Sequence, residues 1–187
     1  VRKYPDIIFD KDSTMIISPD EGAMSRNIFY ASVLGLDLGM FYKRRDFSVV
    51  VNGRNPIVAH EYIGNPVEGK DILVADDIIA TGDSMLHLAK ELKDKGAKRI
   101  FLVPTFAMFT EGTERFDQAY ADGIFDGVIS TNLSYTLPEL AEREWFMKAE
   151  MSKYLAYIIS ACNHNESVSG LLDPHEKIHE LLRKINK

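Results

Sequence analysis

Short runs of apolar residues alternate along the chain with longer segments in which apolar residues recur every three or four positions. The runs predict buried strands, and the three-to-four spacing predicts helices that bury one face. The predicted strands are 14–18, 37–42, 56–63, 72–75, 100–104 and, as the last one, 127–131. The predicted helices are 24–34, 84–95, 114–121, 148–161 and 174–185. This alternation predicts an α/β fold, in which a parallel, twisted sheet is flanked by helices.

Composition narrows the class of protein. The 187 residues, 45% apolar and 27% charged, predict one domain (1–187) with a buried core. The net charge of −6 provides no basic surplus to neutralise phosphates, so we expect no nucleic-acid partner. The single cysteine, Cys162, and the lack of a signal peptide or membrane-length apolar run predict a cytoplasmic protein without a membrane partner. Because the chain opens at Val1 rather than at Met, we expect it to be part of a longer chain.

The segment from Ile72 to Ser84 contains most of the candidate ligand-binding residues. Asp76 and Asp77 directly follow the apolar run 72–75. Ligands of open parallel sheets bind beyond the carboxyl ends of the strands, which is where we expect these two carboxylates. Carboxylates accept hydrogen bonds from sugar hydroxyls and also bind magnesium. The pair therefore predicts a site for a sugar or a metal ion.

The next four residues, Thr81-Gly82-Asp83-Ser84, lead into a predicted helix. Free N–H groups at a helix start, with hydroxyl groups beside them, form a binding site for a phosphate. Taken alone, Asp83 or Ser84 could instead serve only as a helix cap. Carboxylates for a sugar, followed within a few residues by a phosphate site, favour a sugar phosphate as the ligand.

The whole segment resembles the phosphoribosyl pyrophosphate (PRPP) motif of type I phosphoribosyltransferases and PRPP synthetases, typically Asp-Asp-x-x-Asp-Thr-Gly-Gly-Thr. The resemblance implies the type I phosphoribosyltransferase fold and a ribose site at Asp76 and Asp77. It also implies that the 5-phosphate binds to Thr81, Gly82 and Ser84.

Two positions depart from that motif. Ala80 stands where the family has a third Asp, so we expect weaker engagement of the ribose. Asp83 stands where the family has a small residue, and its carboxylate would repel a phosphate dianion. We expect Asp83 to turn outward as a helix cap, which leaves the backbone N–H groups and Ser84 for the phosphate.

A second loop resembles the PRPP synthetases in particular. Residues 18–23, Ser-Pro-Asp-Glu-Gly-Ala, follow a predicted strand and are similar to the Ser-Pro-Asp-x-Gly-Gly loop of those enzymes. The resemblance implies that Gly22 turns the backbone close to a pyrophosphate and that Asp20 lies near a magnesium ion. Ala23 replaces the second glycine of the family loop.

The polar stretch from Lys43 to Asn55 predicts a mobile loop after the second strand. Its first three residues resemble the Lys-Arg-Arg of the catalytic flexible loop in PRPP synthetases. That resemblance implies that Lys43 and Arg45 are catalytic residues that clamp the transferring phosphates.

The resemblance runs from about Met15 to Leu172 and corresponds to the C-terminal half of a PRPP synthetase. It implies a ribose-phosphate diphosphokinase that converts ATP and ribose 5-phosphate to PRPP and AMP, with Mg2+ as cofactor and a homo-oligomer as the assembly. Since the N-terminal half of that family is missing, we expect the isolated chain to be incomplete as an enzyme. Two alternatives stay open: a PRPP-consuming type I phosphoribosyltransferase, and a catalytically impaired, PRPP-synthetase-like regulatory subunit.

Overall fold

The computed structural model describes residues 3–45, 48 and 57–185. The strands are β1 (Thr14–Ser18), β2 (Asp37–Arg45), β3 (Ile57–Ile63), β4 (Asp71–Ile79), β5 (Arg99–Ala107), β6 (Gly127–Thr131) and β7 (Phe146–Ala149). The α-helices are α1 (Met24–Leu34), α2 (Asp83–Asp94), α3 (Glu114–Ala121), α4 (Ser152–Asn163), α5 (Ser169–Leu172) and α6 (His175–Ile185). A short 3-10 helix spans Pro138–Glu142. Within the described residues, no helix has both the length and the apolar character that crossing a membrane requires.

The strands form one seven-stranded sheet in the order β3-β2-β1-β4-β5-β6-β7. Every neighbouring pair is parallel except β2 and β3, which are antiparallel. Alternate residues of β1 pack on opposite faces: Met15 and Ile17 lie in one core cluster, and Ile16 lies in a second cluster with Ala31 of α1. The predicted α/β fold with helices flanking a mostly parallel sheet is therefore confirmed.

The predicted end of the sheet is wrong, because β6 is not the last strand. Residues 146–149 form β7, which pairs with β6 from Val128 opposite Phe146 to Thr131 opposite Ala149. The helix predicted to begin at residue 148 accordingly begins at Ser152. Pairing with a strand that is distant in the sequence satisfies the backbone of these residues, and periodicity along the chain does not reveal such a pairing.

Strand β4 is longer than its apolar run. It pairs with β5 as far as Ile79 opposite Ala107, so Asp76 and Asp77 lie within the strand rather than after it. The strand extends because β5, on one side, continues past the end of β1, on the other. Asp76 and Asp77 are consequently held on strand backbone, beyond the last residue of β1.

An aromatic cluster fixes α3 beside the start of α2. It lies on the face of the sheet against which α2 packs, and its members are Phe109, Phe116, Phe125 and Trp145. The Trp145 indole Nε1–H also donates to Asp117 Oδ1 on α3 at 2.8 Å. Rigid aromatic packing of this kind places the residues of α3 at a defined distance from the first turn of α2.

Candidate functional site

The loop after β1 is tied to the middle of β4 by Asn27, a fully buried residue of α1. Its Nδ2 group lies at 2.9 Å from the carbonyl oxygens of Ala23 and Ala75 and at 3.2 Å from Ser18 Oγ. Sequence reasoning missed Asn27. The signal available in the sequence was that Asn27, a polar residue, adjoins the apolar positions of the predicted helix 24–34.

The same loop turns tightly around Asp20. The Ser18 hydroxyl donates to the Asp20 carbonyl oxygen at 2.8 Å, and the Ala23 N–H donates to Asp20 Oδ1 at 3.1 Å. A Cβ atom at Gly22 would lie 3.2 Å from that carboxylate oxygen, so a side chain there would crowd it. The loop thus presents Asp20 at the carboxyl edge of the sheet, with the bare Gly22 backbone beside it.

Asp76 and Asp77 occupy different environments. The side chain of Asp76 is 22% exposed, whereas that of Asp77 is 62% exposed. Burial raises the pKa of Asp76 to about 6, and the neighbouring carboxylates of Asp77 and Asp20 add to the rise. The Asp77 N–H opposes it by donating to Asp76 Oδ1 at 2.8 Å. The three predicted acidic residues therefore act on one another electrostatically.

Arg26 of α1 places a positive charge beside the two strand carboxylates. Its guanidinium lies 3.7 Å from Asp76 Oδ1 and 3.9 Å from Asp77 Oδ2. Within the described part of the chain, Arg26 Nη1 is buried and has no hydrogen-bond partner. Sequence reasoning missed this residue as well. Its signal was a basic residue in the first turn of the helix that follows the Asp20 loop.

The predicted phosphate site has the required backbone shape. Gly82 adopts φ 93° and ψ −10° immediately before α2 begins. A Cβ atom there would lie 2.3 Å from the ring of Phe116. Both the positive φ angle and this close contact therefore require glycine. The first intrahelical hydrogen bond of α2 runs from the Leu86 N–H to the Gly82 carbonyl oxygen. The N–H groups of Ser84 and Met85 precede this bond and have no acceptor within the helix. This helix start can therefore receive an anion.

Asp83 does not cap α2, so that interpretation is wrong. Gly82 occupies the cap position, and Asp83 is the first residue inside the helix. Its side chain is 64% exposed and forms an ion pair with Arg115 of α3. Its second carboxylate oxygen, Oδ2, accepts from the Thr81 hydroxyl at 3.4 Å, so Asp83 contacts both α3 and the residue before Gly82.

Lys43 and Arg45 are placed by their backbone alone. Both lie in β2, where Lys43 pairs with His60 and Arg45 with Ile57 of β3. Residues 43–45 thus belong to a strand, contrary to the predicted loop, because β3 supplies an antiparallel partner. Residues 46–47 and 49–55 of the predicted loop, and Pro56 of the next predicted strand, lie outside the described residues. β1 ends at Ser18, opposite Met40, so the Lys43 backbone lies about 10 Å farther along β2, beyond the end of β1.

Comparison with known proteins shows the family of this chain. Residues 3–137 match the family model described as "Phosphoribosyl transferase domain". The ribose-phosphate pyrophosphokinase of Pyrococcus abyssi is 37% identical over 121 residues, which are 64% of this chain and 40% of that protein. The enzyme of the same name from Vibrio parahaemolyticus is 30% identical over 163 residues, 87% of this chain and 49% of that protein. The chain spans about half the length of the curated relatives that it matches.

A solved structure agrees at the level of the fold. The phosphoribosylpyrophosphate synthetase from Mycobacterium smegmatis matches with a TM-score of 0.66 and 24% identity, over 88% of this chain and 48% of that chain. The family model covers well over half of the chain and includes the Asp20 loop, Asp76, Asp77 and the α2 start. The chain belongs to the phosphoribosyl transferase domain family.

Proposed function

We propose that this chain forms the ribose 5-phosphate-binding part of a ribose-phosphate diphosphokinase. One observation carries the proposal: the Asp20 loop, the two carboxylates of β4 and the glycine start of α2 lie at one edge of the sheet. The half-length similarity to ribose-phosphate pyrophosphokinases supports a longer parent enzyme that supplies the rest of the ATP site.

In the proposed reaction, the 1-hydroxyl of ribose 5-phosphate attacks the β-phosphorus of ATP, and AMP leaves as PRPP forms. The protein contributes mainly positioning and neutralisation of charge. The β4 carboxylates, Asp76 and Asp77, accept hydrogen bonds from the ribose hydroxyls. The N–H groups at the start of α2, with the hydroxyls of Thr81 and Ser84, hold the 5-phosphate.

The residues present also suit Mg2+. Among the described residues, no group of three His, Cys, Asp or Glu side chains is placed to hold a metal ion. Mg2+ usually binds through only one or two carboxylates, and water and substrate phosphates complete its shell. The carboxylates of Asp20 and Asp77 repel that of Asp76, and a bound cation would offset this concentration of negative charge. Asp20 would be the protein ligand of Mg2+, which would supply further neutralisation of the transferring phosphates.

The basic residues of β2 and the assembly complete the proposal. Lys43 and Arg45 close over the phosphates that carry the developing charge, and Gly22 lets the backbone approach the pyrophosphate. A homo-oligomer in the cytoplasm, using ATP and ribose 5-phosphate, is the expected setting.

The reaction is tested by incubation with ATP, Mg2+ and ribose 5-phosphate, followed by measurement of AMP. We expect the full-length parent to release AMP and the isolated chain to release none. Calorimetry should nevertheless detect ribose 5-phosphate binding to the isolated chain. A chain that binds no ribose 5-phosphate, or a parent that consumes PRPP and makes none, would refute the proposal.

The role of the β2 residues is tested in the parent by Lys43→Ala and Arg45→Ala. A contact made mainly in the transition state lowers kcat more than it changes KM, and one such donor is commonly worth about 3 kcal/mol. We therefore expect kcat to fall about a hundredfold with KM within threefold. The control is Lys90→Ala, which removes an exposed positive charge on α2. A defect confined to KM would assign these residues to ordinary substrate binding.

Ala80 favours a second candidate, the catalytically impaired regulatory subunit. It is an exposed residue at the end of β4, where the family has a carboxylate. Because the position is open, Ala80→Asp should restore that carboxylate and tighten ribose 5-phosphate binding three- to tenfold by calorimetry. Active wild-type parent would exclude the impaired subunit. An inactive parent that gains AMP release with Ala80→Asp would establish it.

A further inference from the structure

The start of α2 carries a charge of the wrong sign for its proposed ligand. Asp83 lies between Gly82 and Ser84, the residues whose backbone would hold the 5-phosphate. A phosphate dianion and a carboxylate repel each other strongly at such short range, even where water partly screens them. An Asp at this place is therefore compatible with phosphate binding only if a positive charge offsets its own.

Arg115 of α3 is placed to meet that requirement. Its Nη1 contacts Asp83 Oδ1 in an ion pair, and its Nη2 lies 3.3 Å from Glu111 Oε2. The second contact anchors the guanidinium on the α3 side. The Asp83 carboxylate is thereby paired through Oδ1 with α3, while its Oδ2 lies 3.4 Å from the Thr81 hydroxyl. Arg115 thus neutralises a charge that borders the proposed phosphate site.

The core explains why Arg115 reaches Asp83. The next residue, Phe116, is fully buried and packs so close to Gly82 that no Cβ atom fits between them. The Phe116 ring stacks on Trp145 at 5.7 Å between centroids, with an interplanar angle of 27°. The glycine that shapes the phosphate site thus also lets α3 approach, and that approach sets the Arg115–Asp83 distance.

We propose that Arg115 is a positioning residue for phosphate binding, which acts by holding and neutralising Asp83 at the start of α2. This inference rests on the proposed ribose 5-phosphate site. Its signature is a dependence on Asp83: loss of Arg115 weakens phosphate binding only while Asp83 is present.

The experiment is a double-mutant cycle, in which calorimetry measures ribose 5-phosphate binding to this chain. We expect Arg115→Ala to weaken binding tenfold or more, about 1.4 kcal/mol. Asp83→Gly should change affinity less than threefold, and the double variant should bind like Asp83→Gly. Lys90→Ala, which removes the same charge from the exposed face of α2, should bind like wild type. Urea denaturation of each variant checks that the fold is retained.

Several results would overturn the inference. Wild-type affinity in Arg115→Ala would show that Asp83 needs no partner. Equal weakening by Arg115→Ala in the wild-type and Asp83→Gly backgrounds would mean that Arg115 contacts the phosphate directly. Tenfold tightening in Asp83→Gly would mean that Arg115 leaves the repulsion in place. These failures are distinct from that of the proposed function, in which wild type itself binds no ribose 5-phosphate.

Discussion

Replacement of Asp76 by Asn tests whether the buried charge of this proposed ribose-binding residue lowers the free energy of unfolding. Asn keeps the shape of the side chain and an oxygen that can accept the hydrogen bond from the Asp77 N–H. It removes the charge that burial and the nearby carboxylates of Asp77 and Asp20 make unfavourable. We therefore expect Asp76→Asn to be more stable than wild type at neutral and alkaline pH.

The magnitude and its pH dependence follow from the pKa of Asp76. Its rise from 3.8 to about 6 corresponds to about 3 kcal/mol if fully expressed. Water reaches 22% of the side chain and Arg26 lies 3.7 Å away, so we expect about 1–2 kcal/mol. Because the folded-state pKa is the higher one, wild-type stability falls as pH rises from 3.8 to about 6. The gain from Asn should thus be largest above pH 6 and vanish near pH 4.

Urea denaturation followed by Trp145 fluorescence, at pH 4, 6 and 8, measures the free energy of unfolding. The control is Asp12→Asn, which removes a carboxylate from an exposed turn and should change stability by less than about 0.5 kcal/mol at each pH. A variant that is no more stable than wild type at pH 8, or that gains equally at pH 4 and pH 8, would refute the reasoning.

Two further predictions concern the scaffold of the site. Gly82→Ala should destabilise the chain by about 2–4 kcal/mol in urea denaturation, because it combines left-handed backbone with overlap on the Phe116 ring. Gly123→Ala, at φ 69° with open space around it, is the control and should lose only about 1 kcal/mol. Asp71→Ala should lose about 3–5 kcal/mol, because buried Asp71 holds Arg99 through bonds of 2.6 and 2.7 Å. A loss below 1 kcal/mol in the same measurement would show that Arg99 tolerates separation from Asp71.

The sequence alone predicted the α/β class, most of the elements and the linear motifs of the site. These features are local, so adjacent residues are enough to recognise them. Examples are the apolar run 72–75 and the order Thr81-Gly82 before a helix. The length of β4 and the existence of β7 were missed, because both depend on a partner strand. The turn around Asp20 could be predicted, because its hydrogen bonds join residues within 18–23 and need no distant partner.

Tertiary structure decided the electrostatics of the site. The contacts of Arg26 with Asp76 and of Arg115 with Asp83 join residues 50 and 32 positions apart, and no local pattern encodes them. The raised pKa of Asp76 likewise requires burial and the approach of Asp20 from another loop. Residue type and spacing determine which groups a segment can offer, whereas charge and hydrogen bonding depend on distances that only packing of the whole chain sets.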